Sequence, residues 1–459
     1  MVDDMKRRKF LTLAVTGALA AKKAPPLWGN YPRWHGANER VRIGVVGIRG
    51  MGQSHISEFS RLANVQVAAL CDVDENLFAE IIKKHFTGQG RPKPKTYTDL
   101  RELYEDKDID AITIVTPNHW HALAGIWAMQ AGKHVTIEKP VCHEFFEGQK
   151  LVEAARRYKV IVQHGMEQRS NPCAKTAIEF LRSGGLGEVY LAKGLCYKWR
   201  DTIGHFEDEP VPPGVHYDLW LGPAPLRPFN KNRFHYNWHW NWDYGNGDIG
   251  NQGVHEMDIA RWGLGVTLPT RVSAVGGHFM FRDDQQTPNV LMALFEFDNQ
   301  DGGGDRKKIL QFEVRGWITH REGGVGEVKN ASAPGGYMIS DANTVGNIFY
   351  GSKGYMTKDV DNWKTFLGKK LEPGPSGRGL GNHYQSFIDA IRANDRSLAN
   401  GDILEGHYSA ALVHLANISY RLGRSLNFDP RQERFVADDE ANRMLRREYR
   451  PPFVVPDTP

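Results

Sequence analysis

Short apolar runs alternate with a helix-like segment after residue 40. Residues 41–46 and 65–72 have the β-rich, apolar composition of buried strands, and residues 53–62 between them have the spacing of an amphipathic helix. Further apolar runs at 111–115 and 134–137 extend the pattern. Strands separated by helices predict a parallel sheet with crossover helices in this half of the chain.

The second half of the chain has a different pattern. Residues 272–280, 290–297 and 308–314 have the composition of strands that follow one another closely. Residues 407–422 have the apolar spacing of a late amphipathic helix. We therefore expect a strand-rich second region after the alternating first region.

The first residues have the pattern of a targeting signal. Arg7 and Arg8 precede Phe10, Leu11 and a mildly apolar run at 11–21, which is typical of a twin-arginine export signal. This run is shorter than the ~20 residues of a membrane-spanning helix. The alternative is a basic tail. We assign 1–38 to signal and linker and expect a periplasmic or secreted protein without stable membrane insertion.

Composition narrows the class of protein. The 459 residues include 41% hydrophobic and 24% charged residues, which is globular composition. The net charge of +4, from 58 basic and 54 acidic residues, argues against a nucleic-acid partner. No two of the four cysteines form a CxxC pair, so we expect no metal site and no disulfide scaffold.

A glycine-rich turn follows the first predicted strand. Its six residues, in the order expected of a dinucleotide fingerprint, are Gly47, Ile48, Arg49, Gly50, Met51 and Gly52. Glycines permit a tight turn, and they let backbone N–H groups approach a pyrophosphate at the start of the next helix. Arg49 stands where the second glycine is expected. We predict that these six residues bind the cofactor.

Asp72 ends the second predicted strand, twenty residues after Gly52. An acidic side chain at this position hydrogen-bonds the adenosine ribose and repels a 2′-phosphate, which favours NAD over NADP. Arg49 offers a positive charge to a 2′-phosphate, so NADP remains an alternative cofactor.

Two further loops follow predicted strands at 111–115 and 134–137. The carboxyl ends of strands form the binding crevice of an open parallel sheet. We therefore expect both loops to contribute to cofactor binding through Thr116, Pro117, Asn118, His121, Glu138 and Lys139. For His121, a structural role at the start of a helix is the alternative.

These motifs resemble the Gfo/Idh/MocA family, named after glucose–fructose oxidoreductase and inositol dehydrogenase. The resemblance includes the glycine turn, Glu138-Lys139-Pro140 and Gly253-Val254-His255-x-x-Asp258, and it extends over nearly all of residues 40–430. Family members mostly move hydride between NAD(P) and a hydroxyl of a sugar or cyclitol. The resemblance therefore implies a small-molecule carbohydrate substrate.

The resemblance also implies an α/β fold with two domains. We place a Rossmann dinucleotide-binding domain at 39–165. A C-terminal α/β domain at 166–428 has a large open, mostly antiparallel sheet for substrate binding and oligomerisation. A C-terminal arm follows at 429–459 and covers this chain or a neighbouring subunit. The family's habit implies a homo-oligomer, either a dimer or a tetramer.

Oxidation of a secondary alcohol needs a base for the hydroxyl proton and a cation for the developing alkoxide. Lys139, just after a predicted strand, supplies the cation; an ordinary surface lysine is the alternative. The resemblance implies that His255 is the base and contacts substrate; a buried structural histidine is the alternative. The family often has Asp where this chain has Asn251. Asp248 substitutes for it if the segment is helical.

Two further residues are candidates for substrate binding. Arg169 resembles a substrate-contact position, with a domain-interface ion pair as the alternative. Trp240 lies in a stretch, 236–244, where aromatic and polar residues alternate. If this stretch is extended, its aromatic face stacks a sugar ring. Burial of that face in the core or a subunit interface is the alternative.

Export changes the functional expectation, because a periplasmic dehydrogenase has no soluble NAD pool. We expect an exported NAD(P)-dependent oxidoreductase that acts on a sugar, glycoside or cyclitol and holds its cofactor tightly. One alternative is a redox-neutral NAD-dependent glycosidase or epimerase that works through a transient keto-sugar. A second is a non-catalytic sugar- or nucleotide-binding protein.

Overall fold

The computed structural model describes residues 40–298, 307–317, 319, 322, 323, 325 and 343–459. The predicted export signal and nearly all of the linker lie outside these residues. Within the described part, no helix is both long and apolar enough to cross a membrane.

The first region contains a six-stranded parallel sheet with the order β3-β2-β1-β4-β5-β6. Its strands are β1 (Val41–Val46), β2 (Val65–Cys71), β3 (Lys95–Tyr97), β4 (Ala111–Ile114), β5 (His134–Ile137) and β6 (Val162–His164). The central strand β4 is buried along its whole length, as expected where helices cover both faces of a parallel sheet.

Helices connect these strands and cover the sheet. They are α1 (Gly50–Arg61), α2 (Phe78–His85), α3 (Leu100–Glu105), α4 (Asn118–Gln130) and α5 (Phe145–Tyr158). Asp99 caps α3, and a reciprocal capping box of Glu144 and Glu147 starts α5. The predicted alternation of strands and helices is confirmed, and the region is a Rossmann fold.

The second region contains a ten-stranded sheet with the order β14-β13-β12-β11-β7-β10-β9-β8-β15-β16. Only β7 and β10 pair in parallel, so the sheet is mostly antiparallel, as predicted. Its strands are β7 (Val189–Tyr197), β8 (Arg271–Gly277), β9 (Val290–Asp298), β10 (Lys307–Arg315), β11 (Thr344–Gly351), β12 (Gly354–Lys358), β13 (Asn362–Leu367), β14 (Glu372–Arg378), β15 (Leu426–Asp429) and β16 (Arg434–Phe435).

Seven helices are assigned in the described part of this region. They are α6 (Pro172–Arg182), α7 (Tyr217–Leu221), α8 (Gly247–Asn251), α9 (Gly253–Leu264), α10 (His383–Ala393), α11 (Ile403–Leu422) and α12 (Asp439–Arg443). Helices α9 and α11 are buried along most of their length. Helix α10 packs Phe387, Ile388 and Ala390 into the apolar cluster beneath β1 and α1. The later chain therefore packs directly against the Rossmann sheet.

The last residues of the chain return to the Rossmann region. Phe453 is buried against Trp120 and Trp127 of α4. Arg450 donates to the Asp218 carboxylate at 2.6 Å. These last residues thus pack on the surface of their own chain.

Candidate active site

A cavity of about 390 Å³ lies at the carboxyl ends of the Rossmann strands. Side chains of the second region close it from the other side. The cofactor residues expected from the loops after β4 and β5 line it: Thr116, Pro117, Asn118, His121, Glu138 and Lys139. From the second region, the charged and aromatic residues that line it include Lys198, Arg200, Phe234, Tyr236, Trp238 and His239. The cavity therefore has a Rossmann wall and a second-region wall.

The glycine turn fits a dinucleotide. A Cβ on Gly47 would lie 2.5 Å from the Val115 carbonyl oxygen, and one on Gly52 would lie 2.0 Å from the Gly47 carbonyl oxygen. Only glycine fits at both positions, and at Gly47 a φ of +84° favours it as well. Arg49 precedes α1 without capping it, so no side chain competes for the N–H groups at the helix start.

The space around the turn suits a polar ligand. Gly50, Arg49 and Met51 line the cavity, and a Cβ on Gly50 would meet no atom within 4 Å. The hydroxyl of Thr116, on the opposite loop, is buried and has no hydrogen-bond partner among the described residues. Ile48 is buried, but its N–H donates to the Asp72 carboxylate at 2.9 Å. These residues would hold the pyrophosphate and neighbouring parts of NAD.

Asp72 lies where the adenosine ribose is expected, directly after β2. Its two oxygens accept the backbone N–H groups of Ile48 and Asp74, at 2.9 and 3.0 Å. Burial nevertheless raises the pKa of this carboxyl to about 6, more than the hydrogen bonds lower it. The carboxylate lines the cavity and fixes the glycine turn at the same time.

This pKa predicts that NAD affinity depends on pH. Ribose hydroxyls donate to the ionised carboxylate, so bound NAD lowers the pKa of Asp72 and its binding expels a proton below pH 6. We expect affinity at pH 5 to be about tenfold lower than at pH 7. Titration calorimetry at pH 5, 6 and 7 measures this. The Asp72→Asn variant should bind NAD more weakly, and its NAD affinity should not change between pH 5 and pH 7. If the affinity of both proteins fell equally toward pH 5, Asp72 would not be the group responsible.

Lys139 lies on the cavity wall where the two regions meet. Lys139 belongs to the loop after β5, and its Nζ donates to the carbonyl oxygen of Asn251 in the second region at 2.5 Å. Burial lowers the pKa of this ammonium, and the carboxylates of Glu138 and Glu167 oppose the shift. A lysine whose charge is less stable than usual is suited to exchange protons with a hydroxyl.

The Glu138 carboxylate pairs with a histidine ring rather than with the Lys139 ammonium, and its other oxygen accepts the Lys139 backbone N–H at 3.1 Å. His55 lies between the Glu138 carboxylate at 2.9 Å and the Thr113 hydroxyl at 2.7 Å. Burial opposes ionisation, but the hydrogen bond and charge of His55, together with Lys139, lower the pKa of Glu138 to about 2. These buried hydrogen bonds fix the end of β5, and they therefore fix the backbone that carries Lys139.

His255 is buried on α9 and does not line the cavity. Burial and the nearby charge of Lys139 lower its pKa to about 3, so its imidazole is neutral near pH 7. Its ring makes no hydrogen bond to a described residue, which leaves one nitrogen able to accept a proton. The base role expected for His255 stays a prediction.

Asn251 and Asp248 lie on the same short helix, as the conditional prediction required. The Asn251 amide donates to Asp248 at 3.3 Å. Asp248, however, accepts two hydrogen bonds from Arg200, at 2.7 and 2.9 Å. Although burial alone would raise it, the pKa of Asp248 is lowered by this guanidinium. An ion-paired carboxylate outside the cavity lining is a poor proton acceptor, so the substitution proposed for Asp248 is not supported by its surroundings.

His239 is one of the cavity residues that the sequence did not predict as part of the site. Its Nδ1 lies 2.5 Å from the Tyr236 carbonyl oxygen, which can only accept, so Nδ1 carries the proton and Nε2 is an acceptor. Its ring stacks on Trp238, with centroids 3.6 Å apart. Burial lowers its pKa to about 3. Its only signal in the sequence was its place among the aromatic residues of 236–244.

Two predicted substrate contacts are found elsewhere. Arg169 is buried and forms a bidentate ion pair with Asp258, at 2.8 and 2.9 Å. It does not line the cavity, and this arrangement corresponds to the ion-pair alternative. Trp240 lies in a 3₁₀ helix, Asn237–Trp240, so the extended conformation on which sugar stacking by 236–244 depended is not formed. Trp240 lies under the Arg200 guanidinium and lines a neighbouring cavity instead.

His121 has the structural role considered for it. Its ring nitrogens lie 2.6 Å from the Pro140 carbonyl oxygen and 2.8 Å from that of Thr116. Burial lowers its pKa. His121 thus fixes the loops after β4 and β5 relative to each other while it lines the cavity.

The structure combines a Rossmann domain that carries a dinucleotide turn, a second domain built on a sheet, and a lysine between the two domains. These three features define a class of two-domain, NAD-binding oxidoreductases. The chain belongs to the Gfo/Idh/MocA oxidoreductase family. The family's NAD-binding Rossmann model matches residues 41–166, and its C-terminal alpha/beta model matches 184–277 and 341–455.

Curated relatives match about a quarter of this chain. A glycosyl hydrolase family 109 protein of Shewanella sp. strain MR-4 is 39% identical over 123 residues. An alpha-N-acetylgalactosaminidase of Shewanella oneidensis is 37% identical over 123 residues. Each match covers 26% of this chain and 27% of the relative, so it includes about a quarter of either protein.

Solved structures resemble the chain over most of its length. An oxidoreductase domain protein of Kribbella flavida has a TM-score of 0.60 at 18% identity, and covers 84% of this chain and 99% of its own. Levoglucosan dehydrogenase, in complex with NADH and levoglucosan, has a TM-score of 0.59 at 17% identity, and the match covers 84% of this chain and 99% of the dehydrogenase. WlbA of Bordetella pertussis, in complex with NADH and UDP-GlcNAcA, has a TM-score of 0.59 at 16% identity, and the match covers 85% of this chain and 99% of WlbA. At these identities the likeness shows a shared fold.

Proposed function

We propose that the protein is an NAD-dependent oxidoreductase that transfers hydride between the cofactor and a hydroxyl-bearing carbon of a sugar or glycoside. The observation that carries this proposal is the position of Lys139, in one cavity with the glycine turn and Asp72. The family match supports it. Levoglucosan dehydrogenase and WlbA, which share the fold, were crystallised with sugar compounds and NADH.

NAD, when bound, supplies a nicotinamide that accepts or returns a hydride. The chain's residues supply the proton chemistry and the charge. Lys139 Nζ uses one N–H for the Asn251 carbonyl and keeps two for a sugar hydroxyl. Its positive charge stabilises an alkoxide as the hydroxyl loses its proton.

A neutral imidazole is available to take that proton. His239 lines the cavity and has an unprotonated Nε2. His255 lies close enough to Lys139 for the ammonium charge to lower its pKa. We propose His239 as the base that meets substrate. His255 then assists through Lys139, and the imidazole passes the proton on, because a pKa of about 3 keeps both rings neutral near pH 7.

The redox-neutral alternative has its own support. Relatives named as family 109 glycosyl hydrolases are 39% identical to this chain over 123 residues. Oxidation at a ring carbon makes the neighbouring C–H more acidic, so a leaving group can depart before hydride returns. The same Lys139 and His239 would serve this cycle, in which no reduced cofactor accumulates.

A panel experiment separates these functions. Purified protein, loaded with NAD, is given free sugars and glycosides, and reduced-nicotinamide absorbance and aglycone release are followed together. Accumulating NADH with a sugar supports the oxidoreductase. Aglycone release without NADH supports the redox-neutral cycle. The absence of nucleotide binding and of both signals would leave a non-catalytic binding protein.

We also propose twin-arginine export, on the strength of Arg7, Arg8 and the apolar run that follows. A protein exported in folded form carries its cofactor with it, which suits tight NAD binding. Cell fractionation tests the location. Replacing both arginines by lysine should retain the protein in the cytoplasm; export that continues unchanged would contradict the proposal.

We further propose a homo-oligomer formed through the second sheet. Four apolar side chains on neighbouring strands are exposed: Val275, Met292, Leu294 and Ile309. A contiguous apolar surface of this kind is typical of an interface. Light scattering should show an oligomer that Met292→Glu combined with Leu294→Glu dissociates. Leu398→Glu, at an exposed leucine on a 3₁₀ helix, is the control. A monomeric native protein would contradict the proposal.

A further inference from the structure

Lys198 is a cation of the cavity that the proposed chemistry does not use. It follows β7 and lines the cavity on the second-region wall. Its Nζ donates to the side-chain oxygen of Gln252 at 2.6 Å, and this acceptor is a neutral amide. Among the described residues, no carboxylate lies within ion-pair distance of it. The neighbouring cation differs, because Arg200 is paired with Asp248.

The acidic groups near Lys198 form no direct ion pair with it, because Asp248, whose pKa is lowered mainly by Arg200 and also by Lys198, hydrogen-bonds Arg200 instead. The side-chain amide of Gln252 in turn donates a hydrogen bond to the Glu256 carboxyl group at 3.1 Å. Burial raises the pKa of Glu256 to about 8, so this carboxyl is mostly protonated at neutral pH.

Lys139 adds a second ammonium to the same cavity, from the Rossmann side. Its hydrogen-bond acceptor is a backbone carbonyl, and each lysine's charge is felt by His255. Charges in partly buried sites are costly unless an opposite charge meets them. Lys139 is needed at the reacting hydroxyl, where an alkoxide develops. Lys198 has no such role, so an anion on another part of the substrate is its natural partner.

We propose that the substrate is an acidic sugar whose carboxylate or sulfate group binds Lys198. This inference rests on the proposed function and names its substrate class. A monoanionic group matches the single unpaired ammonium of Lys198. Its charge-assisted hydrogen bonds fix the ring orientation, and so determine which hydroxyl meets Lys139.

Matched pairs of sugars test the inference. NAD-loaded protein is given glucose and glucuronate, galactose and galacturonate, and N-acetylgalactosamine with its 6-sulfate. Reduced-nicotinamide absorbance gives kcat/KM, and thermal unfolding gives binding without turnover. We expect an acidic sugar to be preferred over its neutral partner. Lys198→Met should lower kcat/KM for the acidic sugar by about 10- to 100-fold and leave the neutral sugar unchanged.

Two further variants separate charge from structure. Lys198→Arg keeps the charge and should keep much of the acid preference. Lys231→Met makes the same chemical change at an exposed lysine in the neighbouring cavity, and should leave the preference intact. Loss of the preference in Lys231→Met would point to general charge rather than to Lys198.

The outcomes distinguish this inference from the proposed function. NADH formation with neutral sugars but not acidic ones, or equal loss for both in Lys198→Met, would overturn the inference alone. Acidic sugars that stabilise native protein but not Lys198→Met, without NADH or aglycone, would support the anion site and overturn the activity. No binding and no turnover with any pair would overturn both. The pair that responds identifies carboxylate or sulfate.

Discussion

Lys139→Met should lower kcat/KM for the preferred sugar by about 10²–10⁴-fold, the range attributed to a positioned acid–base group. Methionine keeps the length and the apolar contacts of the side chain, but removes the N–H donors and the charge. The developing alkoxide then lacks its cation, and the sugar hydroxyl lacks a proton relay. Bound NAD should be retained, because the glycine turn and Asp72 are unchanged. Steady-state kinetics with measured nucleotide content tests both parts.

Lys175→Met is the matched control for this variant. Lys175 is a lysine on α6 that donates to the Asn400 side chain at 2.9 Å, away from the cavity lining. It should retain native kcat/KM. A Lys139→Met protein that holds NAD and turns over normally would contradict the role of Lys139. Loss of NAD from that variant would instead assign Lys139 to cofactor binding.

Asp258→Ala should lower the free energy of unfolding by about 3–5 kcal/mol, the cost of breaking a buried ion pair. Asp258 is buried and accepts hydrogen bonds from Arg169 and, at 2.6 Å, from the Ser409 hydroxyl. Its pKa is held well below the usual range by the guanidinium of Arg169, against the effect of burial. Alanine leaves a buried cation with only Glu405 as its acidic partner. Chemical denaturation measures the loss.

Asp218→Ala tests whether this cost depends on burial. Asp218 pairs with Arg450 on the surface, where an ion pair contributes about 0–1 kcal/mol. Its loss should therefore change stability little. Arg169→Met should destabilise the protein as Asp258→Ala does. If it kept native stability and raised KM alone, Arg169 would be a substrate contact after all.

The Rossmann half was predictable because its signals are local. Buried parallel strands form continuous apolar runs, and the strand-to-helix turn requires glycine where a Cβ would meet backbone, as at Gly47 and Gly52. Asp72 follows from the end of the second strand. The edge strand β14 gave no such signal, because it carries two prolines and is mostly exposed.

The second-region wall of the cavity was less predictable. Lys198 lies on an irregular segment after β7 and His239 in a short 3₁₀ helix, and long-range contacts place both in the cavity with Lys139. The alternation at 236–244 suggested a strand, but Trp238 and Tyr244 fill an apolar cluster with Trp220 and Phe234 of the same region. Tertiary packing therefore decided the local conformation. No periodicity in the sequence distinguishes this cluster from an exposed aromatic face.

The most direct test of hydride transfer is to follow an isotopic label from the sugar to the cofactor. The NAD-loaded protein is incubated with the preferred sugar, deuterated at every ring carbon, and the nucleotide is then released and weighed by mass spectrometry. We expect the nicotinamide to carry deuterium in the native protein and in Lys175→Met, and to carry almost no deuterium in Lys139→Met. Nucleotide that stays unlabelled in the native protein, while the sugar is bound but unaltered, would contradict hydride transfer.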